Sequence, residues 1–215
     1  MTGSRARFWL LAGAVGLAAL VTPTTAPAQA RANPPLAGAE LLAALRGGGY
    51  IVYFRHADTD HTQNDSRMTS MADCANQRNL TDAGRENSRQ IGDAIRALGV
   101  PIGAVLASPM CRTVETAMLA FGRAERSMAV VERGPVASTG TRPYTALRAL
   151  LSTSVPEGSN LMVVGHGNPY YAIVGQYHLA EAEAVVVRPA GTNFTEVARL
   201  TLTGWRELAT APASR

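Results

Sequence analysis

Two arginines and two histidines lie where the chain passes from apolar to polar sequence. Arg55 and His56 come directly after one apolar run. Arg112 follows a second run, and His166 follows a third. Arginine guanidinium groups bind phosphate oxygens in a fork, and a neutral imidazole, with an unperturbed pKa of about 6.5, is a nucleophile. Because phosphoryl transfer depends on positioning and charge stabilisation, these side chains indicate transfer through a phosphohistidine without a metal ion.

The three apolar runs have the length and composition of short buried strands. They are Tyr50–Phe54, Ala104–Ala107 and Asn160–Val164. Gly47–Gly49 break a short helix that is predicted at Gly38–Leu45. In open α/β sheets, ligands bind in the crevice beyond the carboxyl ends of the strands. We therefore expect the three strands to bring the four side chains together at one edge of a sheet.

The alternation of strand and helix patterns predicts a three-layer α/β/α sandwich with a mostly parallel central sheet. The polar stretch Ala57–Asn79 has no clear period, and we interpret it as a loop over the active site with room for one helical turn. Thr81 is predicted to cap a helix that runs to about Leu98. The other predicted helices are Arg112–Phe121, Tyr144–Leu151 and one from Pro169, and the other predicted strands are Met128–Val131, Ala184–Val187 and Phe194–Leu200.

The first 30 residues have the features of a secretory signal peptide. Arg5 and Arg7 precede the apolar segment Phe8–Val21, which is too short to span a membrane comfortably. Ala28–Ala30 is a cleavage site of the small-x-small type, and Ala26–Ala28 is a close alternative. A membrane anchor is the competing interpretation. We predict a periplasmic or secreted protein with no stable membrane insertion after cleavage.

Removal of this segment changes the charge balance. Arg5 and Arg7 are the only charged residues before position 31, so their loss lowers the formal net charge from +4 to +2. The basic precursor therefore does not indicate nucleic-acid binding, and the sequence has no basic stripe. All 20 positively charged residues are arginine, which excludes a Schiff-base lysine and a phosphate-binding loop that depends on lysine.

The length and the apolar content predict a single folded domain. The chain has 215 residues, and the 47% that are hydrophobic are sufficient for a proper core. We predict a signal peptide at 1–30, a flexible leader at 31–38, one domain at 39–206 and a disordered tail at 207–215. Trp205 is expected to pack near the end of the domain.

The two cysteines gain significance if the protein is exported, because disulfides persist outside the cytoplasm. Cys74 lies in the long polar loop and Cys111 lies beside Arg112, so a bridge between them would tie the loop to the site. Two free buried thiols, or bonds to other molecules, are the alternatives. A catalytic cysteine is disfavoured, because no residue is evident to activate it. A zinc site is disfavoured as well, because no cysteine or carboxylate has the usual ligand spacing to His56 or His166.

Four segments resemble, in order, the motifs of the histidine phosphatase superfamily, branch 1, which has the phosphoglycerate mutase-like fold. They are Phe54–Thr59 (FRHADT), Leu80–Arg85 (LTDAGR), Ser108–Ala117 (SPMCRTVETA) and Val163–Gly167 (VVGHG). The likeness extends from about Ala39 to Trp205. It implies that His56 is the nucleophile that becomes phosphorylated. It also implies that Arg55, Arg112 and His166 hold the phosphate and stabilise the transition state. Ala57 stands where the family usually has glycine.

The motifs leave the general acid open. The family often places a carboxylate after the third strand, and this resemblance nominates Glu132. Asp58 and Asp65 are the alternatives, and the competing interpretation of Glu132 is a solvated loop carboxylate.

Basic residues of the long loop are candidates for binding the rest of the substrate. We name His61 and Arg78, and for His61 an ordinary surface position is the competing interpretation. Arg67 and Arg142 could similarly bind a second anionic group or could be ordinary surface charge.

The sequence thus predicts an exported phosphomonoesterase that acts through His56 and uses no cofactor. Its expected partner is a small-molecule or envelope phosphomonoester, with no nucleic acid. A phosphomutase, and a non-catalytic phosphate-binding module on the same fold, are the alternatives. The sequence does not indicate the identity of the substrate or the oligomeric state.

Overall fold

The computed structural model describes Met1, residues 35–132 and residues 144–210. Beyond Met1, the predicted signal peptide lies outside the described residues, as does Arg142. In the described part, the helices are α1 (Gly38–Gly47), α2 (Asp82–Ala97), α3 (Cys111–Phe121), α4 (Thr145–Ser152), α5 (Gly167–Val174) and α6 (Leu202–Thr210). The strands are β1 (Ile51–Arg55), β2 (Ile102–Ala107), β3 (Glu125–Arg126), β4 (Asn160–Gly165), β5 (Ala184–Pro189) and β6 (Phe194–Leu200). None of these helices has the length and apolar character that crossing a membrane requires.

The strands form one sheet in the order β3-β2-β4-β1-β5-β6. Neighbours among β3, β2, β4 and β1 run parallel. β5 is antiparallel to β1, and β6 is antiparallel to β5. Arg55 at the end of β1 lies opposite Gly165 of β4, and Ala107 at the end of β2 lies opposite Val164. The prediction of a mostly parallel sheet is confirmed, and the residues that follow β1, β2 and β4 emerge at the same edge.

Alternate strand residues build one core on each face of the sheet. On one face, Val52 and Phe54 pack with residues of α1, α2, α3 and α6, among them the fully buried Trp205. On the other face, Ile51 and Tyr53 pack with residues of α4 and α5. Helices therefore cover both faces, and the predicted three-layer α/β/α sandwich is confirmed.

α2 begins directly against the long loop. The Thr81 hydroxyl accepts a hydrogen bond from the Gly84 amide at 2.9 Å, so the predicted cap is confirmed. The Thr81 amide donates to the Asp58 carbonyl at 3.0 Å, and a Cβ at position 84 would collide with that same carbonyl. Glycine is therefore needed in the Leu80–Arg85 motif because the helix and the loop approach so closely.

The prediction of a strand at Met128–Val131 is wrong. Glu125–Arg126 forms the edge strand, and Met128–Val130 forms one turn of 3-10 helix whose last residue is fully buried. The Ser127 hydroxyl accepts a hydrogen bond from the Ala129 amide at 3.3 Å and so supports the start of this turn. The apolar run reaches the core through a helical turn, an outcome that a short apolar sequence does not distinguish from a strand.

The predicted disordered tail at 207–215 is wrong for residues 207–210, because these residues belong to α6. Trp205 and Leu208 lie about one turn apart on this helix, and both are buried in the core beneath it. Burial of a large apolar side chain contributes roughly 1.5–3 kcal/mol, which explains why the helix continues. Residues 211–215 lie outside the described residues.

The folded domain also begins earlier than predicted. Leu36 falls in the predicted flexible leader at 31–38, yet its amide donates to the Val197 carbonyl at 2.7 Å and its side chain packs against the core. This contact attaches the segment before α1 to β6.

Candidate active site

His56, the predicted nucleophile, follows β1 and has 1% of its surface exposed. Its Nδ1 lies 2.9 Å from the Ala57 carbonyl oxygen. Because a carbonyl oxygen accepts hydrogen bonds and does not donate them, the proton lies on Nδ1 and the Nε2 lone pair stays available. Burial lowers the pKa of His56 to about 3, and the charges of Arg112 and Arg55 act in the same direction. The imidazole is therefore neutral at pH 7, as a nucleophile must be.

Ala57, the residue at the position where the resembled family has glycine, is fully buried. Its side chain belongs to the core on the side of α2 and α3. Its amide donates to the Thr116 hydroxyl at 3.1 Å, and that hydroxyl donates to the Arg112 carbonyl at 2.8 Å. The alanine is thus accommodated, and Thr116 links the backbone next to His56 with the backbone of Arg112.

His166 lies between β4 and α5, and Tyr53 holds its backbone. The Tyr53 hydroxyl accepts a hydrogen bond from the His166 amide at 2.9 Å and donates one to the His166 carbonyl at 2.8 Å. Burial raises the pKa of Tyr53, so the phenol keeps the proton that it donates. On the ring, Nε2 lies 2.8 Å from Ser108 Oγ, and Nδ1 lies 3.3 Å from Glu132 Oε2.

The two histidine rings share one site. Their centroids are 5.5 Å apart, and their planes are inclined at 70°. Burial lowers the pKa of His166 well below its ordinary value, and the charge of Arg112 lowers it further. With both rings neutral, guanidinium groups supply the positive charge that a phosphate would meet.

Arg112 is a buried cation in the first turn of α3, with 2% of its surface exposed. Its Nη1 donates to both carboxylate oxygens of Asp65 at 3.1 Å, and its Nη2 lies 3.5 Å from Glu132 Oε2. Its Nε is buried and has no hydrogen-bond partner among the described residues. A guanidinium with a donor still unsatisfied is suited to bind the oxygens of a tetrahedral anion.

Arg55 is the last residue of β1 and directly precedes His56. Its Nη1 donates to the Leu179 carbonyl at 2.7 Å, and its Nη2 donates to Glu181 Oε1 at 3.3 Å. Burial lowers the pKa of Arg55, whereas Glu181 opposes that shift. The side chain stays charged, because the ordinary pKa of an arginine lies far above neutral pH.

The structure brings Glu132, the predicted general acid, to the site. Its Oε2 contacts Arg112 and His166 as described above, and its Oε1 accepts a hydrogen bond from Asn168 Nδ2 at 2.6 Å. Asn168 lies in α5, directly after the His166 motif. Glu132 is therefore held among site residues and is not a solvated loop carboxylate.

The two alternative acids have different positions. The Asp58 carboxylate accepts a hydrogen bond from Asn87 Nδ2 of α2 at 2.9 Å. Asp65 pairs with Arg112 and also accepts a hydrogen bond from the Arg78 amide at 2.8 Å. Of these two, Asp65 is the one that directly contacts a predicted phosphate ligand.

His61 and Arg78 lie together at the rim. His61 Nε2 is 3.5 Å from Glu181 Oε2, and His61 Nδ1 is 3.3 Å from Arg78 Nη1. The His61 side chain is 66% exposed. His61 is therefore accessible from solvent and joined to Glu181, whereas Arg78 is partly buried and joined to Asp65 through its amide. Arg67 instead lines a separate polar cavity of the same loop.

The predicted bridge between Cys74 and Cys111 is present, with Cα atoms 5.7 Å apart. It joins the 3-10 turn of the long loop to the first residue of α3, directly before Arg112. The buried Gln77 strengthens this junction, because its Oε1 accepts a hydrogen bond from the Cys111 amide at 2.8 Å. The predicted loop is confirmed, and it is attached to the element that carries Arg112.

Four residues of the site were not predicted from the sequence, and they are Tyr53, Ser108, Asn168 and Glu181. Ser108 begins the motif Ser108–Ala117, and Asn168 directly follows the motif Val163–Gly167. Their positions in the sequence marked them as candidates but did not indicate what they contact. Tyr53 was predicted only as a buried residue of a strand. Glu181 lies in the run Ala180–Ala184, which alternates alanine and glutamate and contains no motif.

Residues 51–133 match the sequence profile of the histidine phosphatase superfamily (branch 1). This range includes Arg55, His56 and Arg112. No curated protein matches the chain.

Solved structures of phosphatases share the fold. The protein histidine phosphatase SixA complexed with tungstate is 16% identical, with a TM-score of 0.52, and the match covers 72% of this chain and 97% of that one. A mutant phosphoserine phosphatase from Entamoeba histolytica, in complex with phosphoserine, is 11% identical, with a TM-score of 0.52, and the match covers 72% of this chain and 98% of that one. Sequence identities this low show a common fold and do not indicate the substrate.

The profile match and the shared fold agree with the positions of the four motifs. The motif residues His56, Arg112 and His166 meet at one edge of the sheet, and Arg55 ends the strand that delivers His56. Residues 51–133, which include the first three motifs, are thus similar to the histidine phosphatase superfamily (branch 1).

Proposed function

We propose that the protein is an exported phosphomonoesterase that acts through a phosphohistidine on His56 and needs no metal ion. The observation that carries this proposal is the state of His56, whose Nδ1 is held by the Ala57 carbonyl, which leaves the lone pair on Nε2. Its low pKa keeps the ring unprotonated at neutral pH. The match of residues 51–133 to the histidine phosphatase superfamily (branch 1) supports a phosphatase.

The reaction follows from the residues in two steps. Arg112, Arg55 and His166 bind the phosphate oxygens, and His56 Nε2 attacks the phosphorus. The N–P bond forms while the ester P–O bond breaks, and the leaving oxygen takes a proton from an acid. Water then attacks the phosphorus and gives a proton to the same group, so that the N–P bond breaks and inorganic phosphate leaves. The guanidinium groups act where negative charge builds up in both steps.

We assign the proton transfers to Glu132, because it contacts two of the phosphate-binding residues and Asn168 orients its carboxyl group. The variant Glu132→Gln tests this role with two leaving groups. p-Nitrophenolate leaves without a proton, so phosphorylation of His56 by p-nitrophenyl phosphate should stay near the wild-type rate. An alkyl phosphate needs the acid, so its hydrolysis should fall by about 10²- to 10⁴-fold. An equal loss with both substrates would contradict the assignment.

The main test is turnover of p-nitrophenyl phosphate in EDTA by the mature chain and by His56→Ala. We expect turnover by the wild type, no turnover by the variant, and a phosphoryl group on His56 after an alkaline quench. Turnover that depends on added metal would exclude the proposed mechanism. Binding of phosphate without turnover would favour a non-catalytic phosphate-binding module.

The proposed location depends on the sequence of residues 1–30. Secretion in a bacterial host, followed by amino-terminal sequencing of the released protein, tests it. We expect the mature chain to begin at Arg31, or at Gln29 if the alternative cleavage site is used. Retention of residues 1–30 in a membrane fraction would contradict export as a free protein.

The proposed substrate class is a small-molecule or envelope phosphomonoester. His61 is exposed and Arg78 lies beside it, so these two side chains would meet the part of the substrate beyond the phosphate. A panel of phosphomonoesters assayed with wild type, His61→Ala and Arg78→Ala identifies the class. The rim variants should change KM among substrates while leaving the phosphorylation of His56 by p-nitrophenyl phosphate nearly unchanged.

A further inference from the structure

The backbone of Leu179–Glu183, the segment before β5, contacts the residues of the nucleophile. The Leu179 carbonyl accepts a hydrogen bond from Arg55 Nη1 at 2.7 Å. The Ala182 amide donates to the His56 carbonyl at 3.0 Å. The segment therefore holds both Arg55 and His56 from one side.

The Glu181 side chain adds a second set of contacts, and it is 12% exposed. Its two oxygens accept hydrogen bonds from the Thr59 hydroxyl at 2.7 Å and the Thr59 amide at 3.1 Å. One oxygen lies 3.3 Å from Arg55 Nη2 and 4.0 Å from His56 Nδ1, and the other lies 3.5 Å from His61 Nε2. One carboxylate thus connects the predicted nucleophile, a predicted phosphate ligand and the start of the long loop.

The conformation of the next residue shows that this arrangement is enforced. Ala182 has φ of 64°, in the left-handed region that residues with a Cβ disfavour. Such strain persists where the surrounding structure determines the conformation, and it is concentrated at functional sites. Here the turn allows the Glu181 carboxylate and the Ala182 amide to reach the end of β1 together.

The chemistry of phosphorylation explains why a carboxylate would be useful there. When His56 Nε2 bonds to phosphorus while Nδ1 keeps its proton, the ring becomes cationic. The same burial that keeps the free imidazole neutral then disfavours the cationic ring. A carboxylate 4.0 Å from Nδ1 offsets this cost, and its charge also favours the proton on Nδ1 before the reaction.

We propose that Glu181 is a positioning residue of the phosphohistidine reaction, which fixes Arg55 and supplies the negative charge that stabilises the phosphorylated ring of His56. This inference rests on the proposed function. Glu181 acts through the two residues that it holds and does not need to touch the substrate.

The test compares Glu181→Gln with Glu183→Gln in the mature chain. Glu183 is buried in the same segment, and its carboxylate accepts hydrogen bonds from Ala180 and Tyr177, which are not residues of the phosphate site. By rapid alkaline quench with p-nitrophenyl phosphate, we expect phosphorylation of His56 to slow by about 10- to 100-fold in Glu181→Gln, as for other residues that orient a reacting group. Glu183→Gln should stay within about twofold of the wild type.

Two further readouts separate positioning from folding. Tungstate should bind Glu181→Gln at least as tightly as the wild type, because the glutamine removes a negative charge beside Arg55, so retained binding together with slow phosphorylation shows that the folded site is intact and the reacting ring is impaired. The variant Glu181→Asp restores the charge at a shorter reach, so it should recover part of the rate. A wild-type rate of phosphorylation in Glu181→Gln, or an equal loss in Glu183→Gln, would overturn the proposal. If Glu181→Gln does not fold, a wild-type rate in Glu181→Asp, with its displaced carboxylate, would overturn it too.

The failure of the proposed function has a separate outcome. If the wild type forms no phosphohistidine, the reaction is wrong, and the role of Glu181 is then decided by ¹⁵N NMR of the His56 ring. We expect the Nδ1–H form in the wild type and a smaller fraction of it in Glu181→Gln, where the Ala57 carbonyl alone favours that form. An unchanged spectrum in the variant would overturn the role of Glu181 in orienting the nucleophile.

Discussion

At the scale of single residues, the two arginines that we propose to bind phosphate are already paired with carboxylates. Arg112 contacts Asp65 and Glu132, and Arg55 contacts Glu181. A buried guanidinium is stable when a counter-charge lies beside it. A substrate phosphate therefore competes with these carboxylates for the same donors.

Asp65→Asn tests this competition. Loss of the negative charge beside Arg112 should favour an incoming anion, so the inhibition constant for inorganic phosphate should fall about tenfold, or roughly 1.4 kcal/mol. Asp73→Asn is the matched control, because Asp73 lies in the same loop and bonds to Thr69 and Asn76. Weaker inhibition in Asp65→Asn would show that Asp65 is needed to hold Arg112 in place.

The buried histidines predict how stability depends on pH. In the unfolded chain His56 binds a proton below about pH 6.5, whereas in the folded chain its pKa is about 3. The unfolded state therefore binds more protons between these values, and the free energy of unfolding falls as the pH falls through this window. In His56→Asn the slope should decrease by about 1.4 kcal/mol per pH unit between roughly pH 4 and 6.

Urea denaturation at a series of pH values measures this slope. Asn64→Ala serves as the control, because Asn64 is exposed in the long loop and carries no titratable group, so it should leave the slope unchanged. An unchanged slope in His56→Asn would mean that the folded protein protonates His56 as readily as the unfolded chain does.

The cations of the site were predictable from the sequence, but most of their anionic partners were not. Arg55, His56, Arg112 and His166 follow strand ends, and strand ends converge in an α/β sheet. Glu181 reaches the same place only because the segment before β5 turns at Ala182. A backbone turn of this kind leaves no periodic pattern, so the sequence offered no signal for it.

At the scale of elements, the long loop is attached to α3 directly before Arg112, a proposed phosphate ligand. The Cys74–Cys111 bridge and the Gln77 hydrogen bond both lie next to Arg112. The loop carries Asp65, His61 and Arg78, so its attachment determines where these side chains lie. The attachment of the loop through a disulfide was predicted from the two cysteines, because disulfides persist in exported proteins.

Removal of the bridge in Cys74→Ser/Cys111→Ser should lower the free energy of unfolding. The cysteines are 37 residues apart, and the loop-entropy model gives roughly 3–4 kcal/mol for a closed loop of this length. Thermal unfolding followed by circular dichroism measures the loss. Dithiothreitol should lower the midpoint of the wild type and leave that of the double variant unchanged, and a wild type indifferent to dithiothreitol would contradict a stabilising bridge.

Element types were predicted best where a pattern was long or capped. α2 has a Thr81 cap and an apolar stripe, and both are confirmed. The run Met128–Val131 was too short for its period to separate a strand from a turn, and a 3-10 turn formed. The second half of α6 was missed because its burial depends on contacts with α1 and α2, which are distant in sequence.

At the scale of the whole molecule, α6 completes the layer that covers one face of the sheet. Trp205 is fully buried, and its ring stacks on Phe54 with centroids 6.2 Å apart. Phe54 directly precedes Arg55 and His56 in β1. α6 therefore supports the strand that leads to His56, the proposed nucleophile.

Trp205→Ala should cost about 3–5 kcal/mol of unfolding free energy, as for other large-to-small changes in a core. Trp205→Phe should cost less, because the buried Trp205 Nε1 has no hydrogen-bond partner among the described residues and its removal breaks no hydrogen bond. Urea denaturation measures both.

Met118→Ala, on the exposed side of α3, is the control, and its free energy of unfolding should stay within about 0.5 kcal/mol of the wild type. A similar loss at Met118 would indicate a general effect of truncation and not one of α6 packing.

The covalent link between positions 74 and 111 has a practical consequence for anyone who digests this protein. A protease that cuts once between those two positions opens the chain but releases nothing, because both halves stay joined through sulfur. Such a nicked molecule keeps its full mass on a gel run without reductant and separates into two bands only after reduction. A preparation that looks intact under the first condition can thus already be broken within α2 or β2.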